Sequence, residues 1–174
     1  DLIWPIFLIE GKDKIEPINE LPGVNRYTID KLIEIASKAF ELGIKCVALF
    51  PRTPANLKTR NCEESYNPEN LVNKATRLLK KKIPDLGIML DVALDPYNSL
   101  GHDGLVKDDK ILNDETLEIL IKQSLVQAES GADILGPSDM MDGRVKLIRE
   151  NLEKNNFKNT LILSYSAKFS SGFY

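Results

Sequence analysis

The feature that most constrains the fold of this sequence is an alternation of short apolar runs with helical patterns along the whole chain. Five apolar runs of strand length lie at residues 3–9, 44–50, 86–90, 132–135 and 161–165. Segments with apolar residues at helical spacing separate them. No long antiparallel alternation of apolar and polar residues is present in the sequence. The order β-α-β-α-β-α-β-α-β therefore predicts parallel strands joined by helical crossovers.

Local capping signals place the four predicted helices. Thr28 is expected to cap the first helix, and Asn67 followed by Pro68 is expected to open the second. Asn113 is expected to cap the third helix, with acidic residues in its first turn that complement the helix dipole. The fourth helix is expected over residues 141–154.

The first and last apolar runs give more detailed expectations. The first, IWPIFLI, is almost continuously apolar, as expected for a strand covered on both faces. Pro5 within it counts against a central position in a sheet and favours a strand start or a bulge. The last, LILSYSAK at Leu161–Lys168, contains four large apolar residues and is predicted to be a buried strand that ends at a lysine.

Two parallel architectures compete for this pattern. A doubly wound sheet typically has a glycine-rich turn after its first strand, and Gly11-Lys12-Asp13 has no such fingerprint. In a (β/α)₈ barrel, polar residues gather where the strands end, because the active site is built on that face. Such residues follow strands two to five: Arg52, Asp91, Asp95, Ser138, Asp139 and Lys168. The pattern favours a TIM barrel.

The length predicts only part of such a barrel. A complete (β/α)₈ barrel takes about 250 residues, whereas this sequence has 174 residues and stops soon after its fifth strand. We therefore interpret residues 1–174 as one partial TIM-barrel catalytic domain with about five of the eight strands. We expect it to be inactive alone, because five strands leave an open edge and an incomplete pocket.

Composition limits the classes of partner. The net charge of −3 gives no electrostatic reason to expect nucleic acid. No run approaches the roughly 20 apolar residues of a membrane span, so no membrane partner is expected. Cys46 and Cys62 are too few for a disulfide framework and favour a reducing compartment.

Lys168 has two interpretations. A lysine at the end of a strand usually extends its amine into water. Alternatively, the mouth of a barrel can hold a desolvated amine that attacks a carbonyl. An ordinary lysine pKa is about 10.4, so the second role would need a value about 3 lower. Within these strands Arg52 is the one candidate for a second cation that would help to lower it, and we expect that cation to lie in the missing part of the barrel.

The segment DVALDPYNSLGHDG at residues 91–104 and the segment GPSDMMDGR at residues 136–144 follow predicted strands. Asp91, Asp95 and Asp103 could bind a hard cation such as Mg²⁺, although Asp-Pro and Gly-His-Asp-Gly are also ordinary turn sequences. We predict that residues 93–112 form a long loop. Ser138 and Asp139 could cap the fourth helix, or they could orient an amine or the polar end of a ligand over the barrel mouth.

Four segments together resemble the porphobilinogen synthase (5-aminolevulinate dehydratase) family. They are DVALDPYNSLGHDG, ILNDET, GADILGPSDMMDGR and SYSAKFSSGFY, and the resemblance extends in order over the whole chain. The family has a TIM-barrel fold. Its members are hydro-lyases that condense two molecules of 5-aminolevulinate to porphobilinogen, with loss of water, in heme and chlorophyll biosynthesis.

The resemblance implies roles for particular residues. Lys168 corresponds to the first of the family's two Schiff-base lysines, and the second would lie beyond Tyr174. Asp91 and Ser138 correspond to residues that line the substrate pocket. Tyr174 falls in the active-site lid and is expected to contact substrate.

The metal loop resembles the branch of the family that lacks cysteine ligands. Zinc-dependent members have three cysteines where this chain has Ala93, Asp95 and Asp103. Thiolates suit Zn²⁺ and carboxylates suit Mg²⁺, so zinc is not expected and magnesium is. Asp95 and Asp103 are the candidate ligands, while the family's allosteric Mg²⁺ is held by residues outside this chain. The resemblance also implies a homo-octamer.

The abundance of Lys, Asn and Ile points to an AT-rich genome and therefore to a plastid or plastid-like organelle, with the cytoplasm as the alternative. Two alternatives to porphobilinogen synthase remain at this level. A class I aldolase shares the barrel and the Schiff-base lysine, and a partial barrel could also be an inert fragment.

Overall fold

The computed structural model describes residues 2–169 of the chain. Within this range nine strands and four α-helices follow one another along the chain. The strands are β1 (Ile3–Leu8), β2 (Ile15–Pro17), β3 (Asn25–Tyr27), β4 (Cys46–Pro51), β5 (Gly87–Val92), β6 (Leu105–Lys107), β7 (Lys110–Leu112), β8 (Ile134–Pro137) and β9 (Leu161–Ile162). The helices are α1 (Ile29–Glu41), α2 (Leu71–Lys82), α3 (Asn113–Glu129) and α4 (Arg144–Lys154).

The strand order identifies the sheet as part of a barrel wall. Seven strands form one sheet in the order β2-β3-β1-β4-β5-β8-β9. Each neighbouring pair among the five strands β1, β4, β5, β8 and β9 is parallel. Their order across the sheet is the same as their order in the sequence. A doubly wound sheet would reverse its strand order at a switch point, and this one does not. The predicted partial barrel is therefore confirmed.

The two faces of the sheet differ sharply in burial. Side chains on the helix-facing side, such as Leu8, Val47, Leu90 and Leu135, are fully buried in the core. The alternate residues point to the inner face of the wall, where they line an open apolar concavity of about 470 Å³. In a closed barrel this interior is filled by layers of side chains from all strands.

The predicted burial of the last strand is wrong. Leu161 is 61% exposed, Leu163 49% and Tyr165 40%. This strand is the last in the sheet, so its outer edge and inner face have no neighbour among residues 2–169. Backbone hydrogen bonds from the Leu163 and Tyr165 amides to β8 nevertheless continue the parallel pattern up to the segment that carries Lys168.

Pro5 lies inside β1, not at a start or a bulge as predicted. It pairs with Ala48 of β4. On the other side of β1, β3 pairs only with Phe7 and Leu8. At Pro5 the strand is therefore an edge on one side, where a missing amide proton costs no ladder hydrogen bond.

Two predicted helix starts need correction. Thr28 precedes α1, but its side chain bonds the backbone of Lys14 and does not cap the helix. Helix α2 begins at Leu71, three residues after the predicted Asn67-Pro68 start, because the side chain of Asn70 accepts the Asn73 amide at 2.9 Å. Asn67 instead accepts the amide of Glu69 within the preceding turn.

The later helix starts also shift. Asn113 is the first residue of α3 and not its cap, and its side chain exchanges two hydrogen bonds with the backbone of Asp142. Helix α4 begins at Arg144, not at 141, because Gly143 has a left-handed backbone with φ of 82°. That conformation ends the turn that leads out of β8.

The predicted loop at 93–112 contains the antiparallel hairpin β6–β7. Its turn residues Asp108 and Asp109 have φ of 49° and 58°. Two successive positive φ values are typical of the tight turn that joins hairpin strands, and Asp tolerates them. No helix within residues 2–169 is long and apolar enough to cross a membrane.

Candidate active site

A pocket of about 390 Å³ lies where the parallel strands end. Asp91 at the end of β5, Asp95 in the loop that follows it, Ser138 after β8 and Lys168 after β9 all line this pocket. The structure therefore brings together four of the residues that the sequence places at strand ends. It does so because parallel strands direct their carboxyl ends to one edge of the sheet.

The amine of Lys168 lies inside the pocket mouth. Its Nζ donates a hydrogen bond to the backbone carbonyl of Ser138 at 2.7 Å and lies 3.3 Å from Oδ2 of Asp103. The side chain is 22% exposed. A lysine that extends its amine into water, the first of the two interpretations of Lys168, would not have these contacts.

Asp91 lies on the inner face of β5 and is held at both its backbone and its side chain. Its carbonyl oxygen accepts the side-chain amide of Gln127 from α3 at 2.8 Å. Burial raises the pKa of the Asp91 carboxyl to about 7, and a hydrogen bond from the Ser138 side chain opposes that rise. This pKa lets Asp91 exchange protons near neutral pH, which is what general acid–base catalysis needs.

Asp95 and Asp103 form a close carboxyl pair. Burial raises the pKa of Asp95 to about 6, and the charge of Asp103 and a hydrogen bond to it raise it further in the same direction. Asp103 is buried, with a side chain 3% exposed, and also contacts the Lys168 amine. Burial and the neighbouring Asp103 charge therefore both favour the protonated form of Asp95.

The two aspartates supply carboxylate oxygens of the kind that Mg²⁺ prefers. However, within residues 2–169 no group of three His, Cys, Asp or Glu side chains is close enough to hold a metal ion. The Lys168 ammonium also contacts one of the two carboxylates. The described residues do not complete a metal site, so the magnesium prediction stays a prediction.

Asp139 stabilises the turn before α4 and does not line the pocket. Its Oδ1 accepts the Met141 amide at 2.8 Å, and its Oδ2 pairs with Arg144 Nε at 3.2 Å. Of the two capping candidates, Asp139 thus has the structural role, while Ser138 faces Lys168 and Asp91. His102 also has a local role, because its Nδ1 accepts the Gly104 amide.

The structure places two residues in the pocket that the sequence pattern did not indicate. Arg52 is 58% exposed and pairs with Glu16 away from Lys168. Lys58, in the loop after β4, lines the Lys168 pocket instead, and nothing in its local sequence indicated this. Tyr165 also lines the pocket, although its place in an apolar run suggested a core residue; burial raises its pKa, with the Asp91 charge as a further cause.

Tyr174, the predicted lid residue, lies outside the described residues. The described part of the chain thus defines a class: a parallel β/α barrel wall with an amine and several carboxyls at the carboxyl ends of its strands, as in barrel enzymes. The Delta-aminolevulinic acid dehydratase family model matches residues 1–174. The chain belongs to this family.

Individual relatives agree with this assignment. The chain is 51% identical over its whole length to a Delta-aminolevulinic acid dehydratase of Bradyrhizobium diazoefficiens, of which it covers 49%. It is 48% identical to the chloroplastic protein of Chlamydomonas reinhardtii, of which it covers 45%. The chain spans about half the length of the curated relatives it matches.

A solved structure supports the fold. The Toxoplasma gondii delta-aminolevulinic acid dehydratase in complex with its reaction product porphobilinogen superposes with a TM-score of 0.95 at 44% sequence identity. The match covers 99% of this chain and 49% of the other.

Proposed function

We propose that this chain supplies the Schiff-base lysine of a hydro-lyase that condenses two molecules of 5-aminolevulinate to porphobilinogen with loss of water. The observation that carries the proposal is the position of Lys168, whose Nζ lies inside the pocket mouth, 2.7 Å from the Ser138 carbonyl. The family match and a relative described with bound porphobilinogen favour this reaction over that of a class I aldolase.

The first chemical step is attack by the neutral Lys168 amine on the ketone of one substrate molecule. The proton that the ammonium must lose has an acceptor in Asp103, 3.3 Å away. The resulting carbinolamine loses water and leaves an iminium, in which nitrogen is bonded to the former ketone carbon. The iminium makes the adjacent C–H acidic, so that a base can remove its proton.

Asp91 is suited to the proton transfers in this sequence. Because its pKa is raised to about 7, both its acid and its base forms are populated near neutral pH. The acid form can donate a proton to the departing hydroxyl, and the carboxylate can accept one from the carbon next to the iminium. Ser138 lies beside both groups: its side chain opposes the rise in the Asp91 pKa, and its backbone carbonyl accepts a hydrogen bond from the Lys168 amine.

Borohydride trapping tests this proposal directly on the 174-residue chain. Incubation with 5-aminolevulinate and reduction should add one substrate-derived mass, and peptide mapping should place it on Lys168. Lys168→Gln should abolish the adduct, while Lys146→Gln, on an exposed face of α4, should not change it. An adduct on another residue, with Lys168 unmodified, would contradict the assignment.

Turnover to porphobilinogen needs a second assay. The chain should form the pyrrole only when it is joined to the second half of a relative such as the Bradyrhizobium protein. If such a hybrid still traps substrate on Lys168 but forms no porphobilinogen, that result would favour the inert-fragment interpretation.

We propose further that the enzyme responds to magnesium and not to zinc. The support is chemical, because Ala93, Asp95 and Asp103 offer no thiolate. Chelation followed by separate addition of Mg²⁺ and Zn²⁺ to the active hybrid tests this point.

We also propose a homo-octamer located in a plastid, in the service of tetrapyrrole biosynthesis. The octamer rests on the family resemblance, and native mass spectrometry of the full-length protein tests it. The plastid location rests on the sequence composition and on chloroplastic relatives at 47–48% identity, while a bacterial relative matches at 51% and an archaeal one at 48%. Fluorescent tagging of the full-length protein in its native cell distinguishes a plastid from the cytoplasm.

A further inference from the structure

Helix α4 holds the last strand of the sheet through two arginines, one at each end of the strand. Arg149 bonds the backbone carbonyl of Thr160, which directly precedes β9, at 2.7 Å. Arg144, the first residue of the helix, bonds the backbone carbonyl of Tyr165, beyond the other end of β9. Of these two carbonyls, only that of Tyr165 belongs to a residue that lines the candidate active site.

The guanidinium of Arg144 contacts three groups with three different nitrogens. Its Nη1 donates to the Met141 carbonyl at 3.0 Å, and its Nη2 donates to the Tyr165 carbonyl at 3.3 Å. Its Nε lies 3.2 Å from Oδ2 of Asp139, whose side chain is fully buried. A guanidinium presents its donors in a rigid planar fork, so it can hold several groups in one fixed arrangement. Arg144 thus joins the turn after β8 to the segment after β9.

Two of these contacts have a sufficient explanation within the turn itself. Burial raises the pKa of the Asp139 carboxyl, and the positive charge of Arg144 opposes that rise. A buried carboxylate needs such a counter-charge, because an unpaired one is strongly destabilising. The bond to Met141 closes the same turn. Neither role explains why the third nitrogen reaches Tyr165, which lies 21 positions later in the chain.

Tyr165 is the residue at which the segment that carries Lys168 leaves the sheet. Its amide donates to the Pro137 carbonyl at 3.1 Å, and none of the later residues that the structure describes continues this backbone pairing with β8. Its carbonyl is bonded by Arg144, so the backbone of Tyr165 is held on both sides. Three residues further on, Nζ of Lys168 donates to the Ser138 carbonyl.

The turn after β8 therefore contacts the Lys168 segment at two points. Lys168 bonds the carbonyl of Ser138, and Arg144 links the adjacent Asp139 to Tyr165. We infer that Arg144 is a positioning residue, which holds the Lys168 segment against this turn and so sets the position of the amine for attack on the substrate ketone. The inference rests on the proposed function and adds a residue to it. Precise placement is valuable because a misplacement of about 1 Å can cost about 100-fold in rate.

Two matched substitutions separate positioning from general stability. Arg144→Lys keeps a positive charge beside Asp139 but removes the fork that reaches Tyr165. Arg149→Lys makes the same change at the other end of β9. Schiff-base formation with 5-aminolevulinate is followed by quenching with borohydride at successive times. We expect Arg144→Lys to lower the maximal rate about tenfold and to leave the half-saturating concentration unchanged, because Arg144 does not line the pocket. Arg149→Lys should leave both quantities unchanged.

Two further variants distinguish the bond to Tyr165 from the ion pair in the turn. Asp139→Asn retains an oxygen for the Met141 amide and leaves Arg144 able to bond Tyr165, so it should keep most of the wild-type rate. Asp139→Asn/Arg144→Met leaves no unpaired buried charge, so it should fold even where Arg144→Lys does not. We expect this double variant to show the same tenfold loss of maximal rate.

Hydrogen exchange measured by mass spectrometry tests the contact independently of the reaction. Arg144→Lys should speed exchange of the Tyr165 amide, which donates to β8, more than that of the Leu161 amide. Arg149→Lys should have the opposite preference, because Arg149 bonds the backbone just before Leu161. Equal effects of the two variants on both amides would show that Arg144 does not hold this segment.

The kinetic and exchange results together decide the inference. A loss of maximal rate that is equal in Arg144→Lys and Arg149→Lys, or a change confined to the half-saturating concentration, would overturn the positioning role. If the wild-type chain is not trapped on Lys168 at all, the Schiff-base assignment fails. Hydrogen exchange then still decides whether Arg144 fixes the segment that follows β9.

Discussion

The Nζ atom of Lys168 lies 3.3 Å from Oδ2 of Asp103, a residue 65 positions earlier in the chain. The lysine follows the last strand of the sheet, and the aspartate lies in the loop between β5 and the β6–β7 hairpin. The contact joins the residue that we propose as nucleophile to a buried carboxylate. Such a carboxylate favours the ammonium form of the lysine through a direct Coulomb attraction.

Asp103→Asn should therefore make Lys168 reactive at lower pH. Without the negative charge at 3.3 Å, the ammonium form is less favoured and the neutral amine is more abundant. We expect the midpoint of the pH profile of borohydride trapping to move to lower pH by about one unit. Asp114→Asn, at the start of α3, serves as a charge-matched control. A midpoint that stays in place or moves to higher pH would contradict an ion pair between Lys168 and Asp103.

Asp91 should make the stability of the chain depend on pH. Its pKa rises from an ordinary 3.8 to about 7 on folding, mainly through burial. Between these values the folded chain binds more protons than the unfolded chain, so stability falls as pH rises from about 4 to about 7. The upper limit of this loss is about 4 kcal/mol.

Asp91→Asn removes this dependence, because the amide does not titrate. In urea unfolding, the stability of the variant relative to wild type should increase from pH 4 to pH 7 and then stay constant. Asp142→Asn, an exposed residue before α4, should show no such trend. A difference between Asp91→Asn and wild type that is independent of pH would mean that the carboxyl titrates normally in the folded chain.

The general position of the site was predictable because it depends on topology. In a parallel β/α wall every strand directs its carboxyl end to the same edge, so polar residues after successive strands must converge. That is why Asp91, Ser138 and Lys168 were placed together correctly without any knowledge of their contacts. The choice of a barrel over a doubly wound sheet followed from the same pattern.

Other features depend on interactions that local sequence does not contain. Lys58 lines the pocket from the loop after β4, and its distance from the strand end in sequence gives no sign of this. Leu161 and Leu163 look like core residues, yet their burial depends on neighbours outside this sheet. The β6–β7 hairpin was missed because its turn uses Asp108-Asp109 in place of the usual Asn-Gly or Asp-Gly pair.

Gln127 is expected to stabilise the end of β5 that carries Asp91. Its side chain is fully buried on α3 and donates to the Asp91 carbonyl at 2.8 Å. Gln127→Leu should destabilise the chain by about 1–2 kcal/mol, because a strand carbonyl loses its side-chain donor. It should also reduce the rate of trapping on Lys168, since the Asp91 carboxyl is no longer held in position. Lys122→Leu on the same helix is a control with a less buried side chain, and an equal loss of stability there would argue against a specific bond.

Two leucines in neighbouring strands should differ strongly in their contribution to stability. Leu135 of β8 is fully buried against the helices, whereas Leu161 of β9 is 61% exposed. Leu135→Ala leaves a cavity and should cost about 2–5 kcal/mol of unfolding free energy. Leu161→Ala should change it by less than about 0.5 kcal/mol. Urea denaturation followed by circular dichroism measures both.

The same two leucine variants test whether the inner face of the sheet is covered in solution. A large cost of Leu161→Ala at every protein concentration would contradict the exposed position of this side chain. A cost that appears only at high concentration would show that a second copy of the chain covers β9 and the adjoining apolar concavity. Joining the chain to the second half of a relative should likewise raise the cost of Leu161→Ala, because further strands would then pack against the open edge.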